Sequence, residues 1–152
     1  MRLRPTLLAL GLGGLGGLAA AGCSSATGPG DTTRARLQWA EHGPASYDLT
    51  LFRSCECLPS MTGPVVVSVV DGEVVARRYA SSDEPVSAEL APHFPSVEAL
   101  FALVDEWQRR RPARLAVQYD PTFGHPVHVF VDPDARMADD EIAYTVTALH
   151  PR

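Results

Sequence analysis

The sequence predicts an α+β domain built on a mostly antiparallel sheet with helices covering one face, in the order α-β-β-β-α-β-β-β. Three observations carry this expectation. "PVVVSVVDGEVVARRYA" sets two β-branched runs on either side of Asp71-Gly72, the composition of a type I′ hairpin turn in which Gly supplies positive φ. "SVEALFALVDEWQRRRP" repeats Val97, Leu100, Phe101 and Val104 at helical spacing. Three further segments near the C-terminus alternate between apolar and polar residues, the pattern of half-buried strands.

The elements follow in order. "TTRARLQWAEHGP" reads as a short helix that Thr32 or Thr33 can cap and Gly43-Pro44 stops. In "YDLTLFRSC", Tyr47, Leu49 and Leu51 fall on one face and Asp48 and Thr50 on the other. Across the hairpin, Val65, Val67, Val69, Val74 and Ala76 are expected to share the core face. "ASSDEPVSAELAPHFP" is polar and broken by Pro, so it reads as a loop. Ser96 is a good N-cap for the second helix, and Glu98 sits in the first turn, where the helix dipole favours a carboxylate. Arg109 to Arg111 lie at its C-terminal end before Pro112; the dipole accounts for that Arg run without a phosphate ligand. The closing strands are "RLAVQYD" with Leu115, Val117 and Tyr119 together, "VHVFVD" with Val127, Val129 and Val131, and "IAYTVTAL" with Ile142, Tyr144 and Val146. A Trp near the end of each helix (Trp39, Trp107) and a Tyr-Asp pair after each (Tyr47-Asp48, Tyr119-Asp120) suggest a degenerate internal duplication.

The N-terminus has a different character. Arg2 and Arg4 precede an uncharged run of Leu, Gly and Ala from Leu7 to Ala21, too short and Gly-rich to span a bilayer and of the kind found in secretory signals. "LAAAGC" resembles the lipobox of bacterial lipoproteins at Ala21, Gly22 and Cys23, and departs from it at Ala20, where Leu is the usual residue. The resemblance implies cleavage after residue 22 and lipidation of Cys23, which would tether the chain to a membrane. Ser24, which is not Asp, implies outer-membrane sorting facing the periplasm in a Gram-negative cell. "SSATGPGDTT" reads as a flexible tether. The expected division is therefore a signal peptide over 1–22, a lipidated tether over 23–33 and one globular domain over 34–152. The chain has 18 acidic against 13 basic residues, with no Lys, no Asn and a single Ile. An acidic domain without a basic stripe argues against nucleic acid as a partner.

"YDLTLFRSCEC", "VVVSVVDGEVV", "VEALFALV", "YDPTFGHPVHVFVD" and "DDEIAYTV" occur in that order. Together they resemble an uncharacterised bacterial lipoprotein family, domain of unknown function 6174, over nearly all of Tyr47 to Val146. The resemblance implies a secreted or lipid-anchored domain and no particular activity.

The cysteines narrow the chemistry. With Cys23 lipidated, Cys55 and Cys57 in "RSCECLP" are the thiols that remain, and an exported compartment is oxidising. Residues two apart in an extended strand lie about 6.6 Å apart, near the upper limit for a disulfide, so the chain must turn at Glu56. A loop this small gives only about 1.6 kcal/mol on the chain-entropy model. A local disulfide is the favoured reading; buried reduced thiols, or a redox or metal site, are the alternatives. Thiolates with imidazole suit zinc or copper, but His125 and His128 in "GHPVH" read as surface residues. "DPDARMADDE" holds Asp132, Asp134, Asp139, Asp140 and Glu141, oxygen donors without the spacing of a calcium loop, and reads as a solvated turn. Gly-x-Ser-x-Gly, His-Glu-x-x-His and phosphate-loop motifs are absent from the sequence. No catalytic residue, metal or cofactor is assigned. The expected role is a binding or interaction module for a protein or small-molecule ligand; the alternative is a redox or metal-handling lipoprotein using Cys55 and Cys57.

Overall fold

A computed structural model describes residues 28–152. Helices α1 (Pro29–His42) and α2 (Val97–Arg110) accompany strands β1 (Tyr47–Ser54), β2 (Val65–Val70), β3 (Glu73–Tyr79), β4 (Arg114–Tyr119), β5 (Pro126–Asp132) and β6 (Ile142–Pro151). The strands form one sheet in the order β3-β2-β1-β6-β5-β4, and every pairing is antiparallel. The class is α+β. Cys23, the signal segment and the tether as far as Ala26 and Thr27 lie outside the described residues.

The first helix starts earlier than its sequence suggests. Pro29 occupies the first turn, where its fixed φ suits a helix and its missing N–H is no loss. Thr32, expected as a cap, is inside the helix and only 3% exposed. Its hydroxyl receives hydrogen bonds from Gln108 Nε2 at 2.9 Å and from the Tyr119 hydroxyl at 2.8 Å. Those tertiary contacts draw residues 29–33 out of the expected tether and into the domain. The helix stops at Gly43, whose extended backbone (φ −69°, ψ 141°) is the conformation favoured before Pro44, and the position takes no larger residue because a Cβ there would sit 2.5 Å from the Trp39 carbonyl oxygen. The second helix follows its sequence closely. Ser96 Oγ accepts from Ala99 N, and Val97, Leu100, Phe101 and Val104 are buried. Arg109 and Arg110 both pair with Glu106 one turn back.

Asp71 and Gly72 both have positive φ, 50° and 81°, as a type I′ turn requires. The hairpin face differs from expectation. Val65, Val67 and Val69 are fully buried, but the register shifts between Ser68 and Val69, so that Ser68 pairs with Ala76 and Val69 with Val74. The bulge leaves Val75 as the extra residue and moves Ala76 to the face of Ser68. Arg77 and Tyr79 then take the core side, opposite Val67 and Val65. Arg77 Nε donates to the Phe94 carbonyl at 2.7 Å, and the Tyr79 ring meets Phe94 edge-on.

One core cluster joins Ala35 and Trp39 of α1, the buried residues of α2, and Tyr47, Leu49, Leu51, Val117, Val129, Val131 and Tyr144 of the sheet. A polar network runs from it to the surface, ending at the exposed Glu98. The Tyr47 hydroxyl donates to Glu98 Oε2 at 2.9 Å and accepts from the Val97 amide at 3.1 Å, and Trp39 Nε1 donates to Glu98 Oε1 at 3.1 Å. Buried polar groups are tolerated when each finds such a partner. The segment Asp120–His125 clamps onto α1: Gln38 Nε2 donates to the carbonyls of Pro121 and Thr122, and a Cβ on Gly124 would lie 2.4 Å from the Ala35 carbonyl oxygen. The two suggested halves each consist of a helix and a three-stranded meander, laid side by side in the sheet in the same order, but their Tyr-Asp pairs do not correspond. Tyr47 begins a central strand, whereas Tyr119 ends the edge strand β4.

Candidate functional site

Alternation along β1 places Tyr47, Leu49, Leu51 and Arg53 on the core face. The first three are apolar enough to belong there. The fourth is a guanidinium only 6% exposed. Strand β1 ends at Ser54, and the chain turns through Cys55 to Cys57, with the Cys57 amide donating to the Cys55 carbonyl at 2.9 Å. This turn brings the two Cα atoms to 5.3 Å, inside the disulfide range, with the sulfurs at bonding distance. Glu56 is thereby outside regular strand geometry.

Arg53 Nη1 points at the sulfurs, 2.8 Å from Cys55 Sγ and 3.3 Å from Cys57 Sγ, and donates as well to the Met61 carbonyl at 3.3 Å. Its Nε is buried without a partner. The guanidinium stacks near the Tyr144 ring, 6.0 Å from its centroid. Among the described residues no carboxylate forms an ion pair with it. His93 lies within its field; burial and then the Arg53 charge hold the His93 pKa below its ordinary value. Arg53 escaped the reading of the sequence, although a charged residue at the next position of the Tyr47, Leu49, Leu51 face was a legible signal.

His125 and His128 do not join this site. His125, expected on the surface, is buried at 4% exposure, because the Asp120–His125 loop folds back onto α1 and sets the imidazole against the Trp39 ring. Burial lowers its pKa, with Asp120 4.0 Å away opposing the shift, and its Nδ1 has no hydrogen-bond partner. Asp120 Oδ1 instead accepts from the amides of Thr122 and Phe123, which shapes the loop. His128 is half-buried on the opposite sheet face, its Nδ1 3.2 Å from Thr145 Oγ1. Among the described residues, no group of three or more His, Cys, Asp or Glu side chains is placed to hold a metal ion. Asp134 pairs with Arg136, whose hydrogen bond holds the carboxyl below the usual range.

The other sheet face carries a second candidate surface. Asp48 and Thr50 of β1, Val66 and Ser68 of β2, and Ala76 and Arg78 of β3 line a groove of about 570 Å³. Asp48 accepts from the Ser68 hydroxyl at 2.6 Å and from Arg152 Nε at 2.8 Å. Its carboxyl is lowered overall: burial pushes it up, and the bonds from Arg152 and Ser68 outweigh that. Val75, the bulge residue, is 60% exposed at the groove.

A six-stranded antiparallel sheet with two helices, a Cys-x-Cys turn at the end of a central strand and a groove of mixed polar and apolar lining on one face defines a small α+β domain. The chain belongs to the family of unknown function (DUF6174), whose model matches residues 31–151. The match starts in the first turn of α1 and ends with β6. No curated protein and no solved structure matches the chain. Among the described residues, no helix is long and apolar enough to cross a membrane.

Proposed function

We propose that the protein is exported, lipid-anchored in the cell envelope through Cys23, and works there as a binding or interaction module. In a Gram-negative cell it faces the periplasm from the outer membrane. In this reading α1 and α2 lie over the sheet face that carries Leu49, Leu51, Val65 and Val67, and the opposite face is the working surface. The groove on that face is the observation that carries the reading. Its floor mixes Val66, Val75 and Ala76 with Asp48, Arg78 and Arg152, the combination of apolar area and few polar groups by which ligands are oriented. Arg78 Nη1 donates to the Asp83 carbonyl at 2.8 Å, and its ion pair with the exposed Asp83 carboxylate is long, at 3.8 Å. Such a pair is worth little in water and can yield to an anionic group of a ligand. The formal net charge of −5 supports a protein or small-molecule partner over nucleic acid.

Photo-crosslinking in intact cells tests the surface. A crosslinker at Val75 is expected to form a discrete adduct that Arg78→Glu abolishes, while one at the exposed Leu37 of α1 forms none. Equal labelling from both positions, or an Arg78-independent adduct, would overturn the reading. A second reading, redox chemistry at Cys55 and Cys57, is favoured by one specific observation, the contact of the buried Arg53 with both sulfurs.

A further inference from the structure

A buried cation without a counter-ion is costly, because desolvation is compensated only by a partner charge or by hydrogen bonds. Arg53 has the Met61 carbonyl and two sulfurs, but no carboxylate among the described residues. Disulfide sulfur is a neutral, weak acceptor. A thiolate at the same place is a full counter-ion within hydrogen-bonding distance. Reduction of the pair would therefore create the partner charge that Arg53 lacks, and a guanidinium beside a thiol lowers the thiol pKa and makes its thiolate a better leaving group.

We propose that Cys55 and Cys57 form a reversible dithiol/disulfide centre that exchanges electrons with an external dithiol, with Arg53 as the residue that stabilises the Cys55 thiolate. The proposal rests on the second reading above, gives each residue a role, and is independent of the groove. Cys55 Sγ lies nearer to Nη1 than Cys57 Sγ does, 2.8 Å against 3.3 Å, which assigns the roles. A thiolate of the external dithiol attacks Cys57 Sγ. A bond forms between that sulfur and Cys57, the Cys55–Cys57 bond breaks, and its electron pair goes to Cys55 Sγ beside Arg53. The second thiolate of the dithiol then attacks its own partner sulfur and closes the external disulfide, and the electron pair of the mixed disulfide goes to Cys57. Proton uptake completes the balance: two electrons and two protons pass from the dithiol to the cysteine pair. Both cysteines are partly exposed, so an external sulfur can reach them. The reverse sequence oxidises an external dithiol. The turn supports either direction, because a loop this short supplies little entropic stabilisation to the bond.

The test uses the full-length lipoprotein in detergent, equilibrated with dithiothreitol and then with glutathione buffers, its thiols counted by alkylation and peptide mass. The pair is expected to reduce without unfolding. Arg53→Met is expected to make the disulfide at least about tenfold harder to reduce, and to raise the midpoint of the alkylation pH profile by about one to three pH units, the range for loss of an adjacent opposite charge; Arg53→Lys should restore part of both. Single-cysteine variants keep the test decisive if Arg53→Met does not fold. In Cys57→Ser the remaining Cys55 is expected to alkylate at lower pH than Cys57 does in Cys55→Ser, and Cys55→Ser should retain glutathione as a stable mixed disulfide on Cys57. A pair that cannot be reduced in the folded protein would overturn the redox reading itself. A pair that reduces readily, with equal pH profiles for the two single-cysteine variants, would leave the redox reading standing and overturn the role given to Arg53.

Discussion

Tyr47→Phe removes one oxygen and tests how the polar network at Glu98 holds the second helix to the sheet. The Tyr47 hydroxyl is buried, donates to Glu98 and accepts from the Val97 amide at the start of α2. Without it, Glu98 keeps its bond from Trp39, and the buried Val97 N–H loses its bond to the hydroxyl. A hydrogen bond to a charged acceptor contributes about 1.5–3 kcal/mol, and an orphaned buried donor costs about 1–3 kcal/mol, with overlap between the two, so a loss of about 2–4 kcal/mol is expected. At roughly 4 °C per kcal/mol for a domain of this size, Tm should fall by about 8–16 °C. The same substitution has a signature at high pH. Burial first, then Glu98, hold the Tyr47 pKa above its ordinary 10.0 in the folded state. Above pH 10.0 the unfolded chain releases this proton while the native state keeps it, so the native state binds more protons and stability falls as pH rises. The wild type should lose stability above that pH more steeply than Tyr47→Phe; Tyr119, raised in the same direction, keeps part of the slope in both. Urea titrations at neutral pH and in the alkaline range measure both effects. A neutral-pH change under about 1 kcal/mol, or parallel alkaline slopes, would refute the reasoning.

Three other expectations follow from the same physics. Phe101→Ala should cost about 3–5 kcal/mol in urea unfolding, because the ring is 1% exposed, stacked on Tyr119 and covered by the Arg36 guanidinium; a loss under about 1 kcal/mol would place that face in solvent. Burial lowers the His125 pKa, so below its ordinary 6.5 the unfolded chain takes up a proton that the native state resists, and stability should fall with acidification; His125→Gln should weaken that fall, measured as the difference in unfolding free energy between pH 8 and pH 5. Cys23→Ser should release the protein from the membrane fraction, and a variant that still sediments with membrane would refute lipidation as the anchor.

Local signals carried much of the architecture. The Asp71-Gly72 turn, the Ser96 cap and the buried stripe of α2 are set by residues within a few positions of one another, where backbone sterics and helical or strand periodicity act directly. The inward face of β1 was legible for the same reason, and its fourth position, Arg53, was there to be read as a charge out of place. The strand order, by contrast, depends on which strands meet across long stretches of chain, and no local pattern encodes that β1 and β6 form the centre.

The finer assignments were decided by bulges and by loops folding back. One extra residue at Val75 reverses side-chain parity, which sent Ala76 outward and brought Arg77 and Tyr79 inward. His125 sits in a Gly-Pro turn that any local rule would leave in water, yet the absence of a Cβ on Gly124 lets that turn press against α1 and bury the ring. Thr32 left its expected role as a cap because Gln108 and Tyr119, far away in sequence, supply its hydroxyl with partners. The sequence by itself determined the class of fold, its helices, its hairpin and the nearness of Cys55 to Cys57. Only the tertiary structure decided that a buried guanidinium faces those two sulfurs, because the burial of Arg53 depends on Tyr144 of β6 pairing on one side of it and the Met61–Thr62 segment bonding on the other.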